Sequence, residues 1–139
     1  MMNVPATLFS AIVTILMILL YFAMSFGVAG ARRKTGIDAP ATTGHPDLER
    51  AMRVHYNTLE QMPIILPLLW LATIYFHMLA WLPAALGVLW LVGRVVYWRG
   101  YIADPAKRSM GFLIGSVATL GLLILAIVGI VQGFLVTTA

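Results

Sequence analysis

Hydrophobic residues dominate the chain, and charged residues interrupt them at only a few places. Three long stretches contain no Asp, Glu, Lys or Arg: residues 1–31, 61–93 and 109–139. A helix needs about 20 predominantly apolar residues to cross a bilayer, so the first and third stretches each predict one span. The middle stretch is too long for one span, and His77 and Pro83 inside it indicate a tight turn. We therefore predict an all-α bundle of four transmembrane helices, over about residues 5–29, 46–76, 83–102 and 105–136.

Local sequence signals mark the ends of these helices. The basic residues 32–34 follow the first helix, and cations are favoured at a helix C-terminus. No basic region precedes this helix, so it is expected to be a retained span and not a signal peptide. Pro46 is expected at the first position of the second helix. Asp104 and Pro105 indicate the N-cap and first position of the fourth.

Proline and glycine make further predictions inside the helices. Pro63 and Pro67 lie within the second helix and predict a bend. Glycines recur at four-residue spacing in the fourth helix, at Gly111 and Gly115 and again at Gly129 and Gly133. Such spacing allows another helix to approach closely. The alternative is that glycine is simply common in membrane helices.

Composition supports a membrane protein and excludes several kinds of site. The chain has 139 residues, of which 61% are hydrophobic and only 10% charged. A soluble domain needs more polar surface, and the length suits one domain over residues 1–139. Cysteine is absent, so any thiol chemistry must use a thiol that a ligand brings. No metal site is expected, because His55 and His77 have no metal-binding spacing.

The net charge of +4 comes from clustered basic residues in the two predicted loops that join helices 1–2 and 3–4. In so apolar a chain, clustered Lys and Arg set membrane orientation more often than they bind nucleic acid, so no nucleic-acid partner is expected. The positive-inside tendency places both basic loops in the cytoplasm and both termini on the other side. The lack of a C-terminal retrieval signal favours a bacterial inner membrane over the endoplasmic reticulum.

Two polar stripes lie on the predicted helices near this cytoplasmic end. Arg53, Asn57 and Glu60 have i, i+4, i+7 spacing and therefore share one face of the second helix. A charge facing lipid at mid-membrane costs roughly 2.5–3.5 kcal/mol, so this stripe is expected to face protein or water. Helix 3 carries a second stripe and helix 4 begins with one more cation. These residues are Arg94, Tyr97, Tyr101 and Arg108.

Together the stripes predict an arginine-rich pocket with one carboxylate and two phenols. Arginine can hold a carboxylate through paired hydrogen bonds, so the pocket suits a small zwitterionic ligand with more negative than positive charge. Simpler interpretations of single residues are also compatible with the sequence. The tyrosines with Trp98 could form an interfacial aromatic belt. Arg32 and Arg33 could act only in topology, and Glu60 could simply neutralise an arginine.

Three segments resemble the membrane-associated proteins in eicosanoid and glutathione metabolism, the MAPEG family, in its microsomal glutathione transferase and leukotriene-C synthase branch. They are ARRKTGIDAPATTG at 31–44, ERAMRVHYNTLEQMP at 49–63 and RVVYWRGYIADPAKR at 94–108. The second contains the family's R-x3-N-x2-E pattern. The resemblance spans almost the whole chain, although the outer helices match only in character.

The resemblance implies a homotrimer that binds glutathione between neighbouring subunits near the cytoplasmic side. It implies that Arg53, Asn57 and Glu60 hold the γ-glutamyl end, and that Arg94, Tyr97 and Tyr101 line the wall. A neighbouring subunit would bring Arg32 and His55 near the glycine carboxylate. Arg108 corresponds to the arginine that stabilises the glutathione thiolate. The chain departs from the pattern at two site residues, with Gln61 in place of tyrosine and His55 in place of glutamine. Both side chains can still form hydrogen bonds, so Gln61 and His55 are expected to remain glutathione-binding residues.

The leading hypothesis is a membrane-bound glutathione S-transferase that attacks lipophilic electrophiles from the bilayer, with glutathione peroxidase activity toward lipid hydroperoxides as a further expectation. Two alternatives stay open. One is a non-catalytic family member that binds membrane lipid and presents it to a partner. The other is a small proton-coupled exporter that uses Glu60, although the surrounding arginines suit an anion better than a cation path.

Overall fold

The computed structural model describes residues 4–138, and within them the fold is all-α. Its helices are α1 (Val4–Thr35), α2 (Pro46–Tyr75), α3 (Leu82–Ala103) and α4 (Arg108–Thr137). A short 3-10 helix, Pro105–Lys107, joins α3 to α4. By length and composition, three segments are able to cross a membrane: α1, α2 and the continuous 105–137 helix. α3 carries Arg94 and Arg99, and its crossing stays a prediction.

The helix ends differ from the sequence prediction at two places. α1 continues to Thr35, so residues 32–34 form its last turn instead of following it. Asp104 caps the 3-10 helix, because its Oδ1 accepts a hydrogen bond from the Ala106 amide at 3.0 Å. The α-helical part of α4 therefore starts at Arg108. At the start of α2, Pro46 follows His45, whose Nδ1 accepts from the Asp47 amide.

The hydrophobic core runs along the middle of the bundle, where α2 contacts all three other helices. Its largest fully buried side chains include Met17 from α1, Ile65 and Leu69 from α2, Trp90 from α3 and Leu122 from α4. Inside a bilayer the alternative to this core is lipid, so van der Waals packing between the side chains holds the helices together. The core fixes which faces of α2, α3 and α4 meet.

Glycine brings α3 and α4 into backbone contact. A Cβ at Gly111 would lie 2.2 Å from the Tyr97 nitrogen, and a Cβ at Gly93 would lie 2.7 Å from the Gly115 nitrogen. The predicted close approach at the first glycine pair is confirmed. In the second pair only Gly129 makes a close contact. Gly129 lies against the end of α2, whereas Gly133 has nothing within 4 Å of a Cβ position.

The bundle has one basic end, which carries the α1–α2 loop and the α3–α4 connection. Arg50 ties the start of α2 to the last turn of α3, because its Nη1 donates to the carbonyl oxygens of Ile102 at 3.2 Å and Ala103 at 3.4 Å. Arg32 closes the α1–α2 loop by donating to the Ala41 carbonyl at 2.8 Å. These bonds hold the loops against the helix ends around the candidate site.

Candidate active site

A cleft of about 720 Å³ opens at the basic end between α2, α3 and α4. Both predicted polar stripes and the first turn of α4 contribute to it. The cleft is lined by Arg53, Asn57, Tyr97, Tyr101, Arg108, Ser109, Phe112, Leu113 and Ser116. The structure thus brings together five of the residues that sequence spacing singled out.

The α2 stripe contributes both charged and neutral groups. Arg53 is exposed and Asn57 is half-buried in the cleft. Glu60 is exposed one turn beyond Asn57 and does not line the cleft itself. Neither Arg53 nor Glu60 makes a hydrogen bond or ion pair with another residue in the described range 4–138. Both charges are therefore available to a polar ligand.

Arg94 lies behind the cleft surface and not on it. Its side chain is fully buried, and Nη1 donates to Asn57 Oδ1 at 2.9 Å. Its Cζ lies 4.3 Å from the ring centroid of Tyr97. Nε and Nη2 have no hydrogen-bond partner among residues 4–138. Arg94 therefore contacts Asn57 from behind, and its place in the wall of the ligand site stays a prediction.

The aromatic side of the cleft connects Arg94 to Arg108. Tyr97 is buried and Tyr101 is half-buried, with their ring centroids 5.5 Å apart. The Cζ of Arg108 lies 5.8 Å from the Tyr101 ring centroid, within the range of a cation–π contact. Arg108 is exposed and lies in the first turns of the continuous 105–137 helix, whose dipole favours a nearby anion.

Besides Glu60 and Arg94, three more predicted site residues do not line this cleft. His55 faces α1, where its Nε2 is 3.0 Å from Ser25 Oγ and its ring stacks on Tyr21. Arg32 donates hydrogen bonds to the carbonyl oxygens of Ile37 and Ala41 in the α1–α2 loop. Gln61 accepts a hydrogen bond from Trp90 Nε1 at 3.2 Å, so its amide links α2 to α3.

Sequence reasoning missed the contribution of α4 beyond Arg108. Ser109, Phe112, Leu113 and Ser116 all line the cleft. Their i, i+3, i+4, i+7 spacing places them on one helix face. That pattern was visible in the sequence, but the apolar members do not stand out from the rest of α4.

An apolar groove of about 570 Å³ adjoins the cleft and runs between α2 and α4. The two spaces share Ser116, and the groove continues past Ile64, Leu68, Leu120 and Leu123. One end of the combined space is therefore cationic and the other is apolar. This arrangement suits a polar anionic ligand next to a hydrophobic one.

The sequence is also similar to those of known proteins. Residues 10–128 match the model of the MAPEG family. The chain is 43% identical over 123 residues to an uncharacterized protein of Synechocystis, with 88% of each chain covered. It is 39% identical to leukotriene C4 synthase of Bos taurus, covering 90% of this chain and 82% of that one. It is 38% identical to microsomal glutathione S-transferase 2 of Homo sapiens, covering 83% and 76%.

Proposed function

This chain belongs to the MAPEG family, and from that premise we propose that it is a membrane-bound glutathione transferase whose active site is the cleft between α2, α3 and α4. The observation that carries the proposal is the meeting of Arg53, Asn57 and Arg108 in one cleft that continues into an apolar groove. The names of the relatives, leukotriene C4 synthase and microsomal glutathione S-transferase 2, support glutathione as the polar substrate.

The charges around the cleft fit the groups of glutathione. Glutathione carries two carboxylates, an ammonium group and a thiol, so its net charge is negative. Arg53 has a free guanidinium for a carboxylate, and Glu60 has a free carboxylate for the ammonium group. Asn57 lies between them on the same stripe, with its oxygen held by Arg94. Its side-chain NH2 group remains able to donate to the ligand.

Arg108 is assigned to the thiol. A free thiol has a pKa of about 8.5, so only a few per cent is thiolate at neutral pH. A guanidinium beside the sulfur and the N-terminus of α4 both favour the anion. The thiolate sulfur then donates an electron pair to an electrophilic carbon, forming a C–S bond while the leaving group departs with its own electron pair. The adjoining groove implies a lipophilic electrophile that enters from the bilayer.

The unit of function is proposed to be a homotrimer. Arg32 and His55 lie away from the cleft in their own chain. A neighbouring subunit is able to present them to the glycine end of glutathione bound in the next cleft. The proposal places the basic end in the cytoplasm, where glutathione is available, and the chain in a bacterial inner membrane.

Conjugation of glutathione to a chlorodinitrobenzene-type electrophile by purified protein tests this proposal. We expect saturable activity that falls by roughly 10²–10³-fold in Arg108→Ala, as when one oxyanion-stabilising donor is removed elsewhere. Arg99→Ala is the matched control, because Arg99 is exposed and lies outside the cleft. A wild-type rate equal to that of Arg108→Ala would contradict the transferase assignment.

A further inference from the structure

A second pocket, of about 410 Å³, opens at the basic end between α1, α2 and α3. None of the residues that line the cleft line this pocket. α1 contacts α2 and α3, whereas the cleft is formed by α2, α3 and α4. The pocket therefore belongs to a different face of the bundle, which the proposed transfer reaction does not use.

The mouth of this pocket is cationic. Lys34 and Arg50 line it with a single carboxylate, Asp47, which pairs with Lys34. The Lys34 side chain is 72% exposed, and its bond to Asp47 uses only one of the N–H donors of the Lys34 ammonium group. Arg33 on α1 and Arg99 on α3 are exposed next to lining residues in sequence, although neither lines the pocket itself. The mouth therefore keeps an excess of positive charge after the internal pair is counted.

The floor of the pocket is apolar and leads along α1 away from the basic end. Met24 is buried at its base, and Gly27 faces the Trp98 ring at an ordinary contact distance of 3.5 Å from a Cβ position. Gly30 has nothing within 4 Å of a Cβ position. Glycine inside a helix costs roughly 0.5–1 kcal/mol relative to alanine, and no packing contact within the chain requires it at Gly30. The missing side chain keeps the groove open.

We propose that this pocket binds an anionic phospholipid of the leaflet at the basic end. The phosphodiester contacts Lys34 and Arg50, and one acyl chain lies in the groove beside Gly30, Gly27 and Met24. Basic pockets between membrane helices on the cytoplasmic side bind such headgroups, and tryptophan is favoured at the same depth. A soluble anion would not use the apolar floor. A second copy of this chain that used the same face would bring the same excess of positive charge to the mouth.

Binding of purified protein to phosphatidylglycerol and to phosphatidylcholine of the same acyl chains tests the proposal, with native mass spectrometry and thermal unfolding in detergent as readouts. A ligand of the folded state raises the unfolding midpoint, so phosphatidylglycerol is expected to raise it more than phosphatidylcholine does. Glycerol phosphate, the soluble headgroup, is expected to leave it unchanged. Equal responses to the two lipids, or a response to glycerol phosphate alone, would overturn the proposal.

Two variant pairs locate the site. Gly30→Leu fills the groove and is expected to abolish the preference for phosphatidylglycerol, whereas Gly133→Leu, also in open space but at the other end of the bundle, retains it. Lys34→Gln is expected to weaken binding about fivefold, which corresponds to about 1 kcal/mol per basic residue near a membrane surface. Lys107→Gln, exposed outside the pocket, leaves binding unchanged. If Gly30→Leu alters the oligomeric state and not the lipid preference, the face is a subunit contact and the proposal is wrong.

Discussion

Arg94 Nη1 donates a hydrogen bond to Asn57 Oδ1 at 2.9 Å, and this bond links α3 to α2 directly behind the cleft. The guanidinium is fully buried, and this is its one hydrogen bond within residues 4–138. Removing the Asn57 side chain would leave this buried guanidinium without a hydrogen-bond acceptor, which lowers the stability of the fold. The bond therefore couples the stability of the bundle to the orientation of a proposed glutathione ligand.

A double-mutant cycle on this pair measures the coupling. Asn57→Leu is expected to lower the free energy of unfolding by roughly 1–3 kcal/mol, because it leaves Arg94 buried without a partner. Arg94→Met with Asn57→Leu is expected to cost less than the sum of the single changes, with a coupling energy of roughly 0.5–3 kcal/mol. Arg94→Met alone should raise the KM for glutathione, since Asn57 is no longer held. Strictly additive changes in stability would contradict a direct interaction.

Tyr101 is expected to support Arg108 through its ring more than through its hydroxyl. The Arg108 Cζ lies 5.8 Å from the ring centroid, and a cation–π contact at an exposed position is worth about 0.5–1 kcal/mol. Tyr101→Leu should therefore lower kcat/KM by roughly two- to fivefold through this contact. Tyr101→Phe retains the ring and serves as the control. If Phe and Leu reduce kcat/KM equally, the hydroxyl is the important group.

Mixed oligomers test whether neighbouring subunits share the site. Chains with Arg32→Ala and chains with Arg108→Ala are each expected to be weakly active alone. If Arg32 acts on the cleft of the next subunit, a site is intact when its own chain keeps Arg108 and the neighbouring chain keeps Arg32. Random mixing in head-to-tail trimers therefore restores about a quarter of the sites, and about a quarter of wild-type activity. Co-purification of differently tagged chains verifies mixing. Activity that equals only the average of the two variants would show that Arg32 does not complement across subunits.

The glycine contact between α3 and α4 predicts a strong asymmetry within one motif. A Cβ at Gly111 would lie 2.2 Å from the Tyr97 nitrogen, so Gly111→Ala forces two backbones apart and should cost at least about 1–3 kcal/mol. At Gly115 the nearest atom is Trp90 Cδ1 at 3.8 Å, an ordinary contact. Gly115→Ala should therefore change stability by less than about 1 kcal/mol. Thermal unfolding in detergent compares them, and equal losses would contradict the backbone contact.

The sequence was sufficient to predict the helical class and the faces of the polar stripes. Long apolar stretches and i, i+4, i+7 spacing act within one helix, so Arg53 and Asn57 could be assigned to a shared face before the helices were assembled. The burial of Arg94 could not be predicted, because the residue spacing within one helix does not say how closely α4 packs on α3. That packing depends on the contact between Gly111 and Tyr97, which forms only when the two helices meet.

Residues with internal partners were the hardest to assign. Gln61 follows Glu60 in the chain, yet its side chain points toward α3, where its amide oxygen accepts a hydrogen bond from Trp90. Gln61 is therefore not part of the polar stripe. His55 lies between two cleft residues in sequence but points toward α1, where Ser25 and Tyr21 contact it. Adjacent positions on a helix differ by about 100° in direction, so a family motif that includes both faces predicts residues of two different surfaces.

Arg108 is proposed to hold glutathione as its thiolate, and titration of the bound thiol tests this role most directly. The ultraviolet absorbance of the thiolate is followed against pH with wild type, Arg108→Ala and the control Arg99→Ala. A lowered pKa means that the thiolate persists at neutral pH and is lost only as the pH falls through that lowered value. We predict a midpoint well below about 8.5 for wild type and Arg99→Ala, and a return toward the free-thiol value for Arg108→Ala. The same midpoint in wild type and Arg108→Ala, with glutathione bound to both, would contradict the claim.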